Sequence, residues 1–208
     1  MNKVINNTYI KSFYNNELRP LELADIYFEN KLYSAASSLY NISLDSILNT
    51  NKFDEKSYCL SQMSLCYLKQ QKDELYSSWQ LGMINDMAND AIVLNPNNYI
   101  AWYCVGKSYD LWDKKKEAYY AYSYILMNLL DYIKEEHEHL IYEIIYKVLD
   151  IAEMKYIIKY DYFFNKIMVW YIKSKHYDFD RYVDLMNRIY SHKYSLTDDE
   201  KNIMNNNI

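Results

Sequence analysis

Two glycines and two prolines in 208 residues leave almost no turn-formers. A sheet protein needs a tight turn at each corner, so this scarcity argues against strand-rich folds and for long helices with few breaks. The two glycines, Gly82 and Gly106, stand far apart. A Gly-rich loop that cradles phosphate is therefore excluded. Cysteine is also sparse. Cys59, Cys66 and Cys104 form no CxxC pair and are odd in number. They fall among apolar neighbours on predicted helices, which predicts buried free thiols. That state suits a reducing compartment, the cytoplasm or the nucleus. No run of about 18 apolar residues occurs, so no membrane span is expected. The opening stretch, MNKVINNTYIKSFYNNE, lacks the unbroken apolar core of a secretory signal.

Positive charge is not in excess: 23 Lys and Arg stand against 28 Asp and Glu, a net charge of −5 with no long basic run. Lys114, Lys115 and Lys116 form the only basic cluster, expected to be a solvated turn near a helix end. A nucleic-acid surface would need more basic residues on one face. Half the chain is apolar and a quarter is charged, enough to build a core and stay soluble. The 26 tyrosines, with abundant Asn, Ile and Lys, match low-GC coding rather than a functional stripe.

Signs of catalysis are also missing. There is no G-x-S-x-G, no Cys with an evident His partner and no HExxH. The run from Glu135 to His139 is the only cluster of metal-ligand types, and Glu136 with His139 makes a single E-x-x-H. Carboxylate-bridged sites of helical bundles need two such motifs and further Glu. The run reads as a solvated helix start; a metal-dependent helical enzyme is the rival reading. No cofactor, no metal and no catalytic residue is assigned, and the chain reads as not an enzyme.

What is present is a hairpin pattern. From Asn98 to Ile125 two helices are predicted around a tight turn, with Trp102, Val105, Gly106 and Tyr109 on the first and Ala118 and Tyr122 on the second. Gly106 and Ala118 are small where two helices cross at about 8–10 Å. The aromatic residues lie three or four positions away and share the buried face. These offsets resemble the tetratricopeptide repeat, W-x2-L-G-x2-Y followed by A-x3-F and P, with Val105 for Leu, Tyr122 for Phe and Leu130 in place of Pro.

The same offsets recur upstream. Between Leu21 and Leu48, Ala24, Tyr27, Ala36 and Tyr40 take the anchor positions, with Asn30 and Lys31 in the turn. Pro20 suits a first helical turn, and Asn49 to Asn51 form the next loop. A second unit starts near Asp54, read as a helix cap. It has Ser64 and Tyr67 in its first helix, but Tyr76 and Gln80 where Ala and an aromatic belong. Pro96 arrives eight residues late, which predicts about 12 Å of extra helix. Tyr27, Tyr67 and Tyr109 are 40 and 42 residues apart, against a family period of 34.

The expected fold is all-α, a tetratricopeptide-like helical-hairpin solenoid with extra C-terminal helices. A polar segment spans 1–19 and three hairpins span 20–131. A helical cap spans 132–194, and a short helix with a tail spans 195–208. In the cap Leu140, Ile144, Ile145, Val148, Leu149 and Ala152 keep helical spacing, Phe163 to Ile172 is apolar nearly all round, and Tyr182 to Tyr190 reads as a return helix. Thr197 with Glu200 makes a capping box.

The resemblance implies a non-catalytic scaffold or adaptor that takes a peptide or helix of another protein in a groove. The chain could serve as one subunit of a larger complex. By offset the groove is lined by Leu21, Asp25, Phe28, Tyr58, Gln62, Leu65, Ile100, Tyr103, Cys104 and Lys107. The alternative is that the C-terminal helices fold back and fill it. The layout is similar to co-chaperones of this family, which grip chaperone C-terminal carboxylates with Lys, Asn, Asn, Lys and Arg. Those positions hold Leu21, Asp25, Gln62, Ile100 and Cys104 here, so no cation remains. A divergent chaperone cofactor is the second reading.

Overall fold

A computed structural model describes residues 19–70 and 75–152, together with Asp184 and Asn187. The readings for Phe163 to Ile172, Tyr182 to Tyr190 and the Thr197–Glu200 box lie outside these residues. Seven α-helices run in order among them: α1 (Pro20–Glu29), α2 (Tyr33–Ile47), α3 (Phe53–Gln70), α4 (Ser78–Leu94), α5 (Tyr99–Leu111), α6 (Lys115–Tyr124) and α7 (Glu138–Ala152). No strand occurs among the described residues. The all-α class is as expected. No helix there is long and apolar enough to cross a membrane. The chain divides into two compact units, Met1–Ala121 and Tyr122–Ile208.

In the first unit each of α1 to α4 packs on the next, and α3 also packs on α5. Local chemistry sets the ends. Pro20 opens α1, where its missing N–H is no loss. The Arg19 backbone N–H and its guanidinium both bond Glu22, at 3.0 Å each, and hold that carboxyl below its usual range. Asp54 is not the cap of α3. The helix starts at Phe53, and Asp54 sits in its first turn, where a carboxylate suits the helix dipole. It accepts a bond from the Asn95 amide at 3.0 Å.

The turn between α1 and α2 and the turn between α5 and α6 are the same turn. Leu32 N–H donates to the Tyr27 carbonyl, Lys31 to Phe28 and Asn30 to Ile26. At positions 82 residues on, Lys114 donates to Tyr109, Asp113 to Asp110 and Trp112 to Ser108. This is the Schellman arrangement, in which one residue past the helix turns left-handed. Lys31 (φ 61°) and Asp113 (φ 57°) fill that place, and neither is glycine.

The second hairpin departs from its expected register. In the other two pairs the second helix begins nine residues after Ala24 or Gly106; counted from Ser64 that predicts position 73, yet α4 begins at Ser78. Tyr76 therefore lies ahead of the helix and Gln80 in its first turn. The helix starts five residues late, so only three of the eight extra residues lengthen it, by about 4.5 Å. Leu81 takes the place of Ala36 and Ala118, and it is buried. Ser77 caps α4, its hydroxyl accepting from the Gln80 N–H at 3.3 Å.

The anchors behave unequally. Ala24, Ala36 and Tyr40 form one core cluster with Met63 and Cys66, and Ala118 and Tyr122 are also buried. Trp102 and Tyr109, expected to fill the crossing, are half-buried. The Trp102 indole instead donates to the Pro96 carbonyl at 2.9 Å and ties down the α4–α5 link. Lys115 is not simply solvated. Its ammonium meets the Asp110 carboxylate at 2.7 Å. Burial pulls the Lys115 pKa down, but the hydrogen bond to Asp110 and the charges of Asp110 and Asp113 outweigh it and raise it.

In the second unit α6 ends in a π-turn, Ile125–Leu129, and a 3-10 turn, Leu130–Tyr132. Ile125, Leu126 and Leu129 are buried there. On α7 Leu140, Ile144, Ile145, Val148 and Leu149 are buried as the spacing predicts.

Two substitutions test this fold. Lys31→Gly relieves a left-handed residue on the surface and should raise the unfolding free energy by about 0.5–1 kcal/mol in urea titrations, whereas Lys31→Val should lower it. Asn98→Ala removes the α5 cap and three bonds to α3, described below. It should cost about 2 kcal/mol, with Asn98→Asp recovering only the cap.

Candidate functional site

The face predicted to bind is largely closed. Gln62, Leu65 and Ile100 are each 4% exposed and Tyr103 is 6% exposed. Cys104 is fully buried. Leu21, Phe28 and Tyr58 are half-buried, and all three pack against the cluster of Ala24, Ala36, Tyr40, Met63 and Cys66. Phe28 also meets the Tyr33 ring edge-on at 5.5 Å. Lys107 is half-buried.

Two of these residues are brought into direct contact. The Tyr58 hydroxyl donates to Asp25 Oδ1 at 2.7 Å. The Tyr40 hydroxyl donates to the same oxygen, also at 2.7 Å. The two rings cross edge-to-face at 6.1 Å. One carboxylate thus joins α1, α2 and α3. Burial, then the neighbouring phenol and the Asp25 carboxylate, push Tyr40 well above the ordinary phenol range. Burial and the bond to Asp25 push Tyr58 the same way. Both remain neutral donors throughout the working pH range.

A second polar cluster holds α3, α4 and α5 together. Asn98 caps α5, its amide oxygen accepting from Ala101 N–H at 3.2 Å. Its NH2 group donates to the Ser57 hydroxyl at 2.9 Å, the Ser57 carbonyl at 3.2 Å and the Ser61 hydroxyl at 3.1 Å. Ser57 passes a bond to the Ala91 carbonyl at 2.7 Å, and Ser64 bonds the Ile84 carbonyl at 3.3 Å. Asn85 on α4 donates to Ser108 on α5 at 2.9 Å. Each of these groups is structurally committed and none is poised for chemistry.

Cys59, Cys66 and Cys104 are free and buried. Burial pushes the Cys59 and Cys66 thiols up to about 12 and raises Cys104 as well. None is an activated nucleophile. Glu136 and His139 are exposed, and the His139 ring nitrogen lies 3.1 Å from the Glu136 backbone oxygen rather than its carboxylate. No group of three or more metal-ligand side chains occurs among the described residues.

An open cavity of about 240 Å³ lies elsewhere, where α3 ends and α4 begins. Tyr67, Gln70, Tyr76, Trp79, Gln80, Met83 and Ile84 line it. Trp79 is 73% exposed and Leu75, in the connection, is 75% exposed. The Tyr76 hydroxyl donates to the Leu68 carbonyl, which fixes that ring. The sequence offered one signal for this geometry. Ser77 followed by Gln80 is a capping box, which marks the true start of α4 and leaves Tyr76 outside it. No protein-family model matches the chain, and no curated protein matches it.

The thiols supply a test. The native protein should be inert to a thiol reagent at pH 8 and should expose all three cysteines in guanidinium. Unfolded thiols ionise near pH 8.5, well below the folded values. Their contribution to stability is therefore complete below about pH 8.5 and is lost as pH rises toward 12, with Tyr40 and Tyr58 adding to the loss above about pH 10. Urea unfolding at pH 7, 9 and 10.5 should show that fall; a rise would contradict the burial described.

Proposed function

We propose that this chain is a non-catalytic scaffold or adaptor of the tetratricopeptide kind, holding a peptide or helix of a partner protein. The observation that carries this reading is the repeated hairpin turn, with the same three backbone bonds at positions 82 residues apart. Recurrence of a turn at a fixed offset is what a stack of like helical pairs produces. The groove in this reading has Phe28, Tyr58 and Lys107 as its half-buried contact residues. Gln62, Leu65, Ile100 and Tyr103 are the packed floor beneath them.

Chaperone-tail binding is the weaker form of the proposal. A carboxylate brought to the clamp positions would find no cation, and would face Asp25 with its oxygen already shared by two phenols. Each missing charge-assisted bond is worth about 1.5–3 kcal/mol.

Substituting the buried floor would unfold the protein, so the test uses the contact residues. Phe28→Ser with Lys107→Glu should remove the partners recovered with the wild type from the native cell, with helix content by circular dichroism unchanged. A folded double variant that keeps every partner would overturn the reading. An acidic chaperone-tail peptide should show no binding at millimolar concentration; saturable binding would restore the chaperone form.

A further inference from the structure

We propose that the outer side of α4 carries a binding site for a basic segment of a partner protein, with an arginine side chain entering the cavity between Tyr67, Tyr76 and Trp79. This site shares no residue with the groove named above and stands whether or not that groove binds.

The cavity supplies the recognition chemistry. Among the described residues its lining holds three aromatic rings and no charged side chain. Aromatic faces attract a cation, and the planar guanidinium stacks on them while keeping its donors free at the edge. The Gln70 amide oxygen and the Tyr67 hydroxyl are the acceptors at hand, whereas the Gln80 oxygen is already taken by the Ser77 N–H and hydroxyl at 2.9 Å each. The chain seats a cation on an indole once already. Lys114 Nζ lies 3.6 Å from the centre of the Trp112 ring, and that ring lies 3.9 Å from where a Cβ on Gly82 would stand.

The rest of α4 supplies charge complementarity. Its buried residues, Leu81, Ile84, Asn85, Ala88 and Ala91, occupy one side. Trp79, Asp86 and Asp90 recur at i, i+7 and i+11, on one line opposite to them, and all three are exposed. The helix contains no Lys or Arg. Among the described residues neither Asp86 nor Asp90 takes part in an ion pair. The line runs about 10 Å from Trp79 to Asp86 and about 16 Å to Asp90, from a rise of about 1.5 Å per residue. An extended segment advances about 3.3 Å per residue, so cations about three and five positions beyond the arginine meet the two carboxylates.

The experiment titrates the full-length protein with a labelled peptide carrying Arg and then Lys three and five positions later on an alanine–serine background. Binding is read by fluorescence anisotropy. The peptide should bind with Kd below about 1 mM at low salt. Norleucine in place of Arg, or Trp79→Ala in the protein, should each weaken binding about tenfold. Asp86→Asn with Asp90→Asn should weaken it several-fold and flatten its salt dependence. All three positions are exposed, so circular dichroism should be unchanged in these variants. Absence of binding to the wild type at millimolar peptide would overturn the proposal. So would a norleucine peptide that binds as well as the arginine one, or a Trp79→Ala protein that binds like the wild type.

Discussion

Three serines along one side of α3 set how closely its neighbours come. Ser57, Ser61 and Ser64 are each wholly buried. A hydroxymethyl group is small enough for helix axes to close to about 8–10 Å, but its oxygen must find a partner once water is gone. Ser57 finds the last turn of α4 at Ala91, and Ser64 reaches Ile84 two turns earlier. Asn98 then joins Ser57 and Ser61 to the first turn of α5. An apolar seam would let these helices slide by a turn at little cost. Here any slide strands several buried polar groups, at about 1–3 kcal/mol each. The axial register of α3, α4 and α5 is fixed by that penalty.

The first hairpin joins this frame by a different device. Asp25 draws hydroxyls from Tyr40 on α2 and Tyr58 on α3, so one oxygen secures three helices. Burying one carboxylate is costly unless it is bonded, and two phenols with raised pKa values remain dependable donors. The brace has a functional consequence. It fixes Tyr58, and it closes Asp25 to any ligand that would bring a second negative charge.

Much of the first hairpin could be read from Ala24 and Ala36, which meet in one cluster, and Gly106 and Ala118 are buried as small anchor residues. Apolar spacing marks the buried side of each helix. The second hairpin departs from the repeated offsets for a physical reason. Tyr76 to Gln80 contains nothing that forbids a helix, so spacing alone could not tell an extended connection from an extended helix. The Ser77–Gln80 capping box could, because its chemistry belongs to a helix start. The groove residues show a different limit. Periodicity says which side of a helix Leu65 or Tyr103 occupies, but not whether that side is covered. The Asp25 partners lie 15 and 33 residues away, and only tertiary closure brings them in. The serine row was visible as small residues, but its bonds were not, because the acceptors are backbone carbonyls.

The matched positions of a set of helical pairs are consumed in making the pairs pack. What distinguishes one such chain from another must then come from positions that do not match. In this chain the largest mismatch among the described residues is the connection ahead of α4, and the cavity lies there with Tyr76 from the connection itself. Ordinary turns, such as those at Lys31 and Asp113, satisfy their own carbonyls. Tyr76 lies ahead of α4, so the rings of Tyr67, Tyr76 and Trp79 come from three separate elements. Local departure from a regular pattern is where a fold gives up packing for recognition. The solvent side of α4 fits that view. Its exposed Trp and two carboxylates, unpaired among the described residues, contribute nothing to the seam on the opposite side, which leaves them available for the partner segment proposed above.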